Sequence, residues 1–242
     1  MIGCSCEVCT SKDPRDKRRR CGIYVENGSS SIIVDTPPEM RLSCVEFSIS
    51  RADAVLLTHA HMDHIAGFDD VRRFNTINGG QPMNCYAAAE TINDMRHIFP
   101  YIKDTPNELG LYRPMIKFVP VTEPFDACSM RITPLPVEHG PRTNGYRFDD
   151  GTKSFAYVPD CSAIPDDTAK KMQGLDLLII DCLREKFHPT HLTVSKMMEY
   201  AAALKPANVL CVHMCHSISC AHLDEITPDN IHPAYDGLTV EV

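Results

Sequence analysis

No run of about eighteen consecutive apolar residues occurs in this chain of 242 residues, so no membrane-spanning helix is expected. Positive charge is also scarce: 24 Lys and Arg face 32 Asp and Glu, a net charge of −8. An acidic chain attracts polyanions poorly, so a large nucleic acid is not an expected partner unless a local basic patch supplies the contact. The one basic run, KDPRDKRRR at 12–20, reads as a solvated loop. The opening residues, MIGCSCEVCT, lack the charged-then-apolar layout of a secretion signal, and a cytoplasmic location is the expectation. Repeats, low-complexity tracts and long linkers are missing too, so a single domain over 1–242 is predicted, long enough for a sizeable core.

Cysteine, by contrast, is abundant, with twelve copies. In a chain of this length with no signal the thiols are expected to be reduced. Cys44, Cys85, Cys182 and Cys211 lie inside apolar runs and read as small buried hydrophobes.

Short β-branched or apolar runs predict strands at SIIV, ADAVLL, MNCYA, LDLLIID and ANVLCV. Two alternating runs around Asp150-Gly151 predict a hairpin. Helices are expected at DDVRRFNTI, from about Ala89, at IPDDTAKKMQ closed by Gly174, and at TVSKMMEYAAAL with Thr193 as N-cap. The ending YDGLTVEV reads as a turn and a last strand. Strands outnumber helices and helices recur between them, which suits a layered α/β domain with sheets inside and helices outside.

The most informative stretch is LLTHAHMDHIAG, residues 56–67. It places His59, His61, Asp63 and His64 within six residues, directly after an apolar run. Such groups are costly to bury without partners. A metal ion resolves the cost, because neutral imidazoles and a carboxylate become ligands. His139, Asp160 and His213 likewise each follow a strand-like run, and strand ends far apart in sequence can converge in space.

His59-Ala-His61-Met-Asp63-His64 resembles the HxHxDH motif of the metallo-β-lactamase superfamily, and His139, Asp160 and His213 follow in that superfamily's order. The resemblance implies an αβ/βα sandwich, two central mixed sheets flanked by helices, with a dinuclear site. It implies that His59, His61 and His139 hold one metal and that Asp63, His64 and His213 hold the other. Asp160 would bridge the two, together with a water or hydroxide, and Asp35 would support the ligand loop.

Cys4, Cys6 and Cys9, in GCSCEVC, suggest zinc but leave one ligand missing. The stretch VHMCHSISCAH offers Cys215, His216, Cys220 and His222. These segments resemble the PhnP-like phosphodiesterase branch, and the resemblance makes His216 the fourth ligand of a structural zinc. Members of that branch usually open with a strand and a glycine-rich loop before the cysteines. Here Cys4 comes three residues after Met1, so that first strand is expected to be missing or the start shortened.

His191, in FHPTHLTVSK, corresponds to the branch's catalytic histidine, near the metals but not on them. His188 is its neighbour and competitor, read as a helix-flanking polar residue. Asp63 is the second catalytic candidate. The expected activity is hydrolysis of small phosphodiesters, of nucleotide or cyclic ribose phosphate type, by a metal-bridged hydroxide, with two divalent ions (zinc, manganese or iron) and one structural zinc. A homodimer is compatible with this reading. A tRNA 3′-processing nuclease, a thioesterase and a PqqB-like protein are alternatives within the superfamily. A non-catalytic metal-binding or redox module is the alternative outside it.

Overall fold

The computed structural model describes residues 1–103, 112–140 and 142–242. In chain order its elements are α1 (Glu7–Thr10), β1 (Ile23–Asn27), β2 (Ser30–Val34), α2 (Met40–Glu46), β3 (Ala54–Leu56), α3 (Met62–Ile65), α4 (Arg72–Ile77), β4 (Met83–Ala87), α5 (Ala89–Ile98), β5 (Ile116–Pro120), β6 (Phe125–Ala127), β7 (Met130–Val137), β8 (Thr143–Asp149), β9 (Ser154–Val158), α6 (Asp166–Lys171), β10 (Leu177–Asp181), α7 (Val194–Leu204), β11 (Asn208–Val212), α8 (Cys220–Ile226) and β12 (Ile231–Pro233). Among the described residues no strand precedes the cysteines, and no helix is long and apolar enough to cross a membrane.

The strands form two mixed sheets, as expected. One has the order β1-β2-β3-β4-β5, antiparallel at β1/β2 and parallel from β2 to β5. The other has the order β12-β11-β10-β9-β8-β7-β6, parallel from β9 to β12 and antiparallel at β8/β9 and β6/β7. Parallel strands need covering on both faces, which explains why β3, β10 and most of β2 are buried at every position.

The chain divides into two compact units, one of Arg20–Pro134 with Pro141–Asn144, the other of Met1–Arg19, Leu135–Gly140 and Gly145–Val242. Each has its own apolar core. In the first, Val55 and Leu57 pack with Ile65, Phe68, Met95 and Ile116. In the second, Ala156, Leu178 and Ile180 pack with Met197, Leu204 and Val209.

Helix signals read from sequence have physical counterparts. Thr193 caps α7, its hydroxyl accepting from the Lys196 N–H, and Lys205 ends the helix in a left-handed conformation just before Pro206. Three expectations change. The ending does not form a strand: the last one is β12, which pairs with β11, and Leu238–Val242 is irregular because no neighbouring strand pairs with it. Cys44 lies on α2 and is half-buried, whereas Cys85, Cys182 and Cys211 are fully buried. The basic run is not a solvated loop: Arg15, Arg18 and Arg20 pair with Asp13, Asp16 and Glu39, and Arg18 is largely buried.

The β8–β9 turn offers a check on pH dependence. The Asp150 carboxylate accepts from the N–H groups of Thr152 and Lys153, at 2.8 and 2.9 Å, and from the Thr152 hydroxyl at 2.7 Å. The Lys153 N–H, then the Thr152 hydroxyl and N–H, hold its pKa at about 2. A carboxyl depressed on folding stabilises the fold above its unfolded pKa and loses that contribution as pH falls towards its folded one. Asp150→Ala should therefore lower Tm by roughly 2–4 °C at neutral pH. In melting curves the gap to the parent should close between about pH 4 and about pH 2; a gap unchanged at pH 2 would count against the turn.

Candidate metal centre

In the Arg20–Pro134 unit the candidate ligands leave the end of β3. Thr58 and His59 come one residue after the strand, past Leu57, and α3 carries Asp63 and His64. The loop is anchored by Asp35, at the matching end of the parallel neighbour β2. Asp35 is buried and has φ 61°, a left-handed conformation that costs a non-glycine residue about 1–3 kcal/mol. Its carboxylate offsets that cost by accepting from the Thr58 N–H at 2.8 Å, the Thr58 hydroxyl at 2.9 Å and His64 Nδ1 at 2.8 Å. Burial pushes the Asp35 carboxyl up, and His64 pulls it back. Gly67 closes the loop where a Cβ would lie 2.3 Å from the Pro37 carbonyl oxygen, so only glycine fits this approach.

These bonds set the rings. Thr58 Oγ1 lies 3.0 Å from His59 Nδ1, and His59 Nε2 lies 2.9 Å from His61 Nδ1. His64 spends Nδ1 on Asp35 and turns Nε2 towards Asp63, at 3.7 Å. Orienting a ring through one nitrogen while presenting the other is how metal-binding histidines are usually held. His59 and His64 are buried, Asp63 is half-buried and His61 is exposed.

In the other unit, Asp160 follows β9 and His213 follows β11, while His139 comes after β7. The two Asp160 oxygens face different rings: Oδ2 lies 3.3 Å from His139 Nε2, and Oδ1 lies 3.4 Å from His213 Nε2. His139 donates through Nδ1 to the Thr190 carbonyl at 2.8 Å. His213 sits at φ 57°, again a conformation its surroundings must impose. His191 packs between these ligand candidates, edge-on to His139 with ring centroids 4.8 Å apart and stacked on His213 at 4.7 Å. His188 lies one step further out, 5.0 Å from His191.

Asp181 was not anticipated from the sequence. It ends β10, is fully buried, and its Oδ2 accepts from His191 Nδ1 at 2.9 Å, from the Cys161 N–H at 3.0 Å and from the Leu192 N–H at 3.3 Å. One carboxylate thus orients His191 and steadies the residue next to Asp160. Burial raises its pKa, with the His191 side chain opposing. The available signal was an acid closing the apolar run LDLLIID.

The cysteines form a separate group. Cys4 Sγ and Cys6 Sγ each lie 3.4 Å from His216 Nδ1, and the four donor atoms of Cys4, Cys6, Cys9 and His216 lie within 4.8 Å of one another. Tetrahedral zinc with bonds of about 2.3 Å separates sulfurs by roughly 3.8 Å, so the set has zinc-like dimensions. The Cys9 N–H, then His216, lower the Cys6 thiol to about 6, favouring the thiolate that binds metal. Cys220 is buried, Cys215 contacts Ser217, and His222 is half-buried beside Glu185; none joins the group.

A family model described as a beta-lactamase superfamily domain matches residues 31–214. The chain belongs to the metallo-β-lactamase superfamily. That fold implies divalent-metal binding, and the imidazole and carboxylate donors above suit it. Among solved structures, a diphosphatase from the PhnP family superposes with a TM-score of 0.90 at 34% identity, covering 100% of this chain and 91% of that one. An octanoyltransferase of Porphyromonas gingivalis is 30% identical over 98% of this chain but only 48% of its own length. Coenzyme PQQ synthesis protein B of Methylobacterium radiotolerans is 25% identical over 74% of this chain and 66% of its own. The chain therefore spans about half the length of the octanoyltransferase that it matches.

Proposed function

We propose that this superfamily member is a dinuclear-metal-dependent hydrolase of small phosphodiesters. The observation that carries this reading is His191: an imidazole held through Nδ1 by buried Asp181 and packed against both His139 and His213. It sits beside the candidate ligands without a place among them in the superfamily pattern. That pattern assigns His59, His61 and His139 to one ion, Asp63, His64 and His213 to the other, and Asp160 to both. Bound ions would acidify a water and neutralise phosphoryl charge. Asp181, a carboxylate acceptor, keeps the His191 proton on Nδ1 when the ring is neutral and holds Nε2 for the substrate. Once protonated at Nε2, His191 can donate to a departing alkoxide.

The PhnP-family neighbour favours a second reading, a diphosphate diester as substrate, which asks the same of His191. The octanoyltransferase relative keeps acyl substrates in view. The test is a screen of metal-reconstituted protein on alkyl phosphodiesters, diphosphate diesters, thioesters and lactones. Turnover of a phosphodiester or diphosphate is the expected result; turnover of thioesters alone would overturn the reading.

The cysteine group is proposed to hold one structural zinc on Cys4, Cys6, Cys9 and His216. Metal binding at such a site is folding free energy. Cys6→Ser should remove the zinc and lower Tm by roughly 5–10 °C. It should also weaken metal binding at His213, three residues from His216. An experimental structure with Cys4 and Cys9 far apart or disulfide-bonded would rule this out.

A further inference from the structure

The segment from His213 to Cys220 carries one candidate ligand of the active site and one of the cysteine site, and the Arg18 side chain bonds to three of its carbonyls. Arg18 Nη1 donates to the carbonyls of Met214 at 3.3 Å and Cys215 at 3.0 Å, and Nη2 donates to the Ile218 carbonyl at 2.8 Å. Nη2 also pairs with Asp16 at 2.8 Å. Asp16 in turn accepts from the Cys220 N–H at 2.9 Å. The Arg18 side chain is only 13% exposed and the Asp16 side chain 3%. Three carbonyls within five residues, all facing one cation, make a loop whose path depends on that cation. Those residues begin immediately after His213, whose φ of 57° needs an imposed path. Other hydrogen bonds on the segment include Cys215 N–H to the Leu183 carbonyl at 2.9 Å, Cys6 Sγ to the His216 carbonyl at 3.4 Å and Cys220 Sγ to the Arg15 carbonyl at 3.3 Å, and none of them reaches the Met214 or Ile218 carbonyl.

We infer that Arg18, fixed by Asp16, is a positioning residue that holds His213 in its ligand geometry and so sets metal affinity in the active site. The inference rests on the reading of His213 as a metal ligand. It also gives the basic run of the N-terminal segment a role other than solvation. A planar fork of five donors suits the task, and lysine, with one ammonium point, cannot reach carbonyls on both sides.

The test uses the full chain with zinc kept on the cysteines, titrated with manganese(II), free manganese being read by electron paramagnetic resonance. Arg18→Met should weaken one of the two active-site manganese ions roughly tenfold or more, equivalent to about 1.4 kcal/mol. Bound zinc should stay unchanged. Arg18→Lys should show most of the same loss, and added methylguanidinium should restore most of the affinity of Arg18→Met. His213→Ala is the reference and should lose the same ion. If His213→Ala binds both ions like the parent, the ligand reading fails. If His213→Ala loses an ion while both Arg18 variants bind like the parent, the reading stands and the inference is overturned. Loss of zinc together with manganese, without rescue by methylguanidinium, would make Arg18 a general fold determinant and also overturn it. Should Arg18→Met not fold by circular dichroism, Arg18→Lys decides on the same criteria.

Discussion

Asp160→Asn is expected to abolish hydrolysis and deplete the active site of metal while leaving the fold intact. The substitution keeps the shape of the side chain and removes its charge. In the structure the two carboxylate oxygens face different histidines, Oδ2 facing His139 and Oδ1 facing His213. The superfamily pattern assigns those histidines to different ions. An amide offers one oxygen acceptor and one NH2 donor, so it can satisfy at most one side. The loss should exceed a thousandfold in rate, on the order of 4 kcal/mol or more. Metal analysis should show fewer than two active-site ions per chain, with the cysteine-bound zinc retained. Circular dichroism and the elution volume should match the parent, because the cores are built from other residues. Parent-like turnover with both ions bound would remove Asp160 from its bridging role.

His191→Ala should behave differently, because His191 is not assigned to a metal. Metal content should be unchanged, and the rate on alkyl phosphodiesters should fall roughly a hundredfold or more, the usual contribution of a positioned acid. The deficit should shrink for p-nitrophenyl esters, whose leaving group departs without a proton. Equal impairment on both ester types would mean that His191 stabilises the phosphoryl oxygens instead. Full activity on both would withdraw it from the mechanism and bring forward His188, 5.0 Å from it, or acyl substrates. Asp181→Asn supplies the companion measurement. It keeps the side chain's size but removes the carboxylate that His191 Nδ1 and two backbone N–H groups share. Its defect should follow the same leaving-group dependence as His191→Ala, at smaller size.

The local parts of this protein are written in local sequence. His59, His61, Asp63 and His64 come from one turn after one strand, so spacing alone shows that they share a neighbourhood. The α7 helix carries its own start and stop signals in Thr193 and Pro206, and the β8–β9 hairpin is marked by Asp150-Gly151. Each depends on contacts within a few residues, which a periodic pattern can express. The short elements β1, α2, β5 and α8 went unread because tertiary packing, more than a strong local pattern, holds them.

The sequence alone singled out the candidate ligands, the thiol group and the order of the strands that carry them. Tertiary structure alone decided how those residues are held. Asp35 becomes the anchor of the histidine loop only because β2 and β3 run parallel side by side and end together. Asp181 meets His191 only because the turn after β10 folds back on the strand's end. Arg18 reaches the carbonyls after His213 across some two hundred positions of chain. Buried carboxylates, a left-handed histidine and a guanidinium shared by three carbonyls are set by where other elements pack, and no repeat or spacing along the chain encodes that.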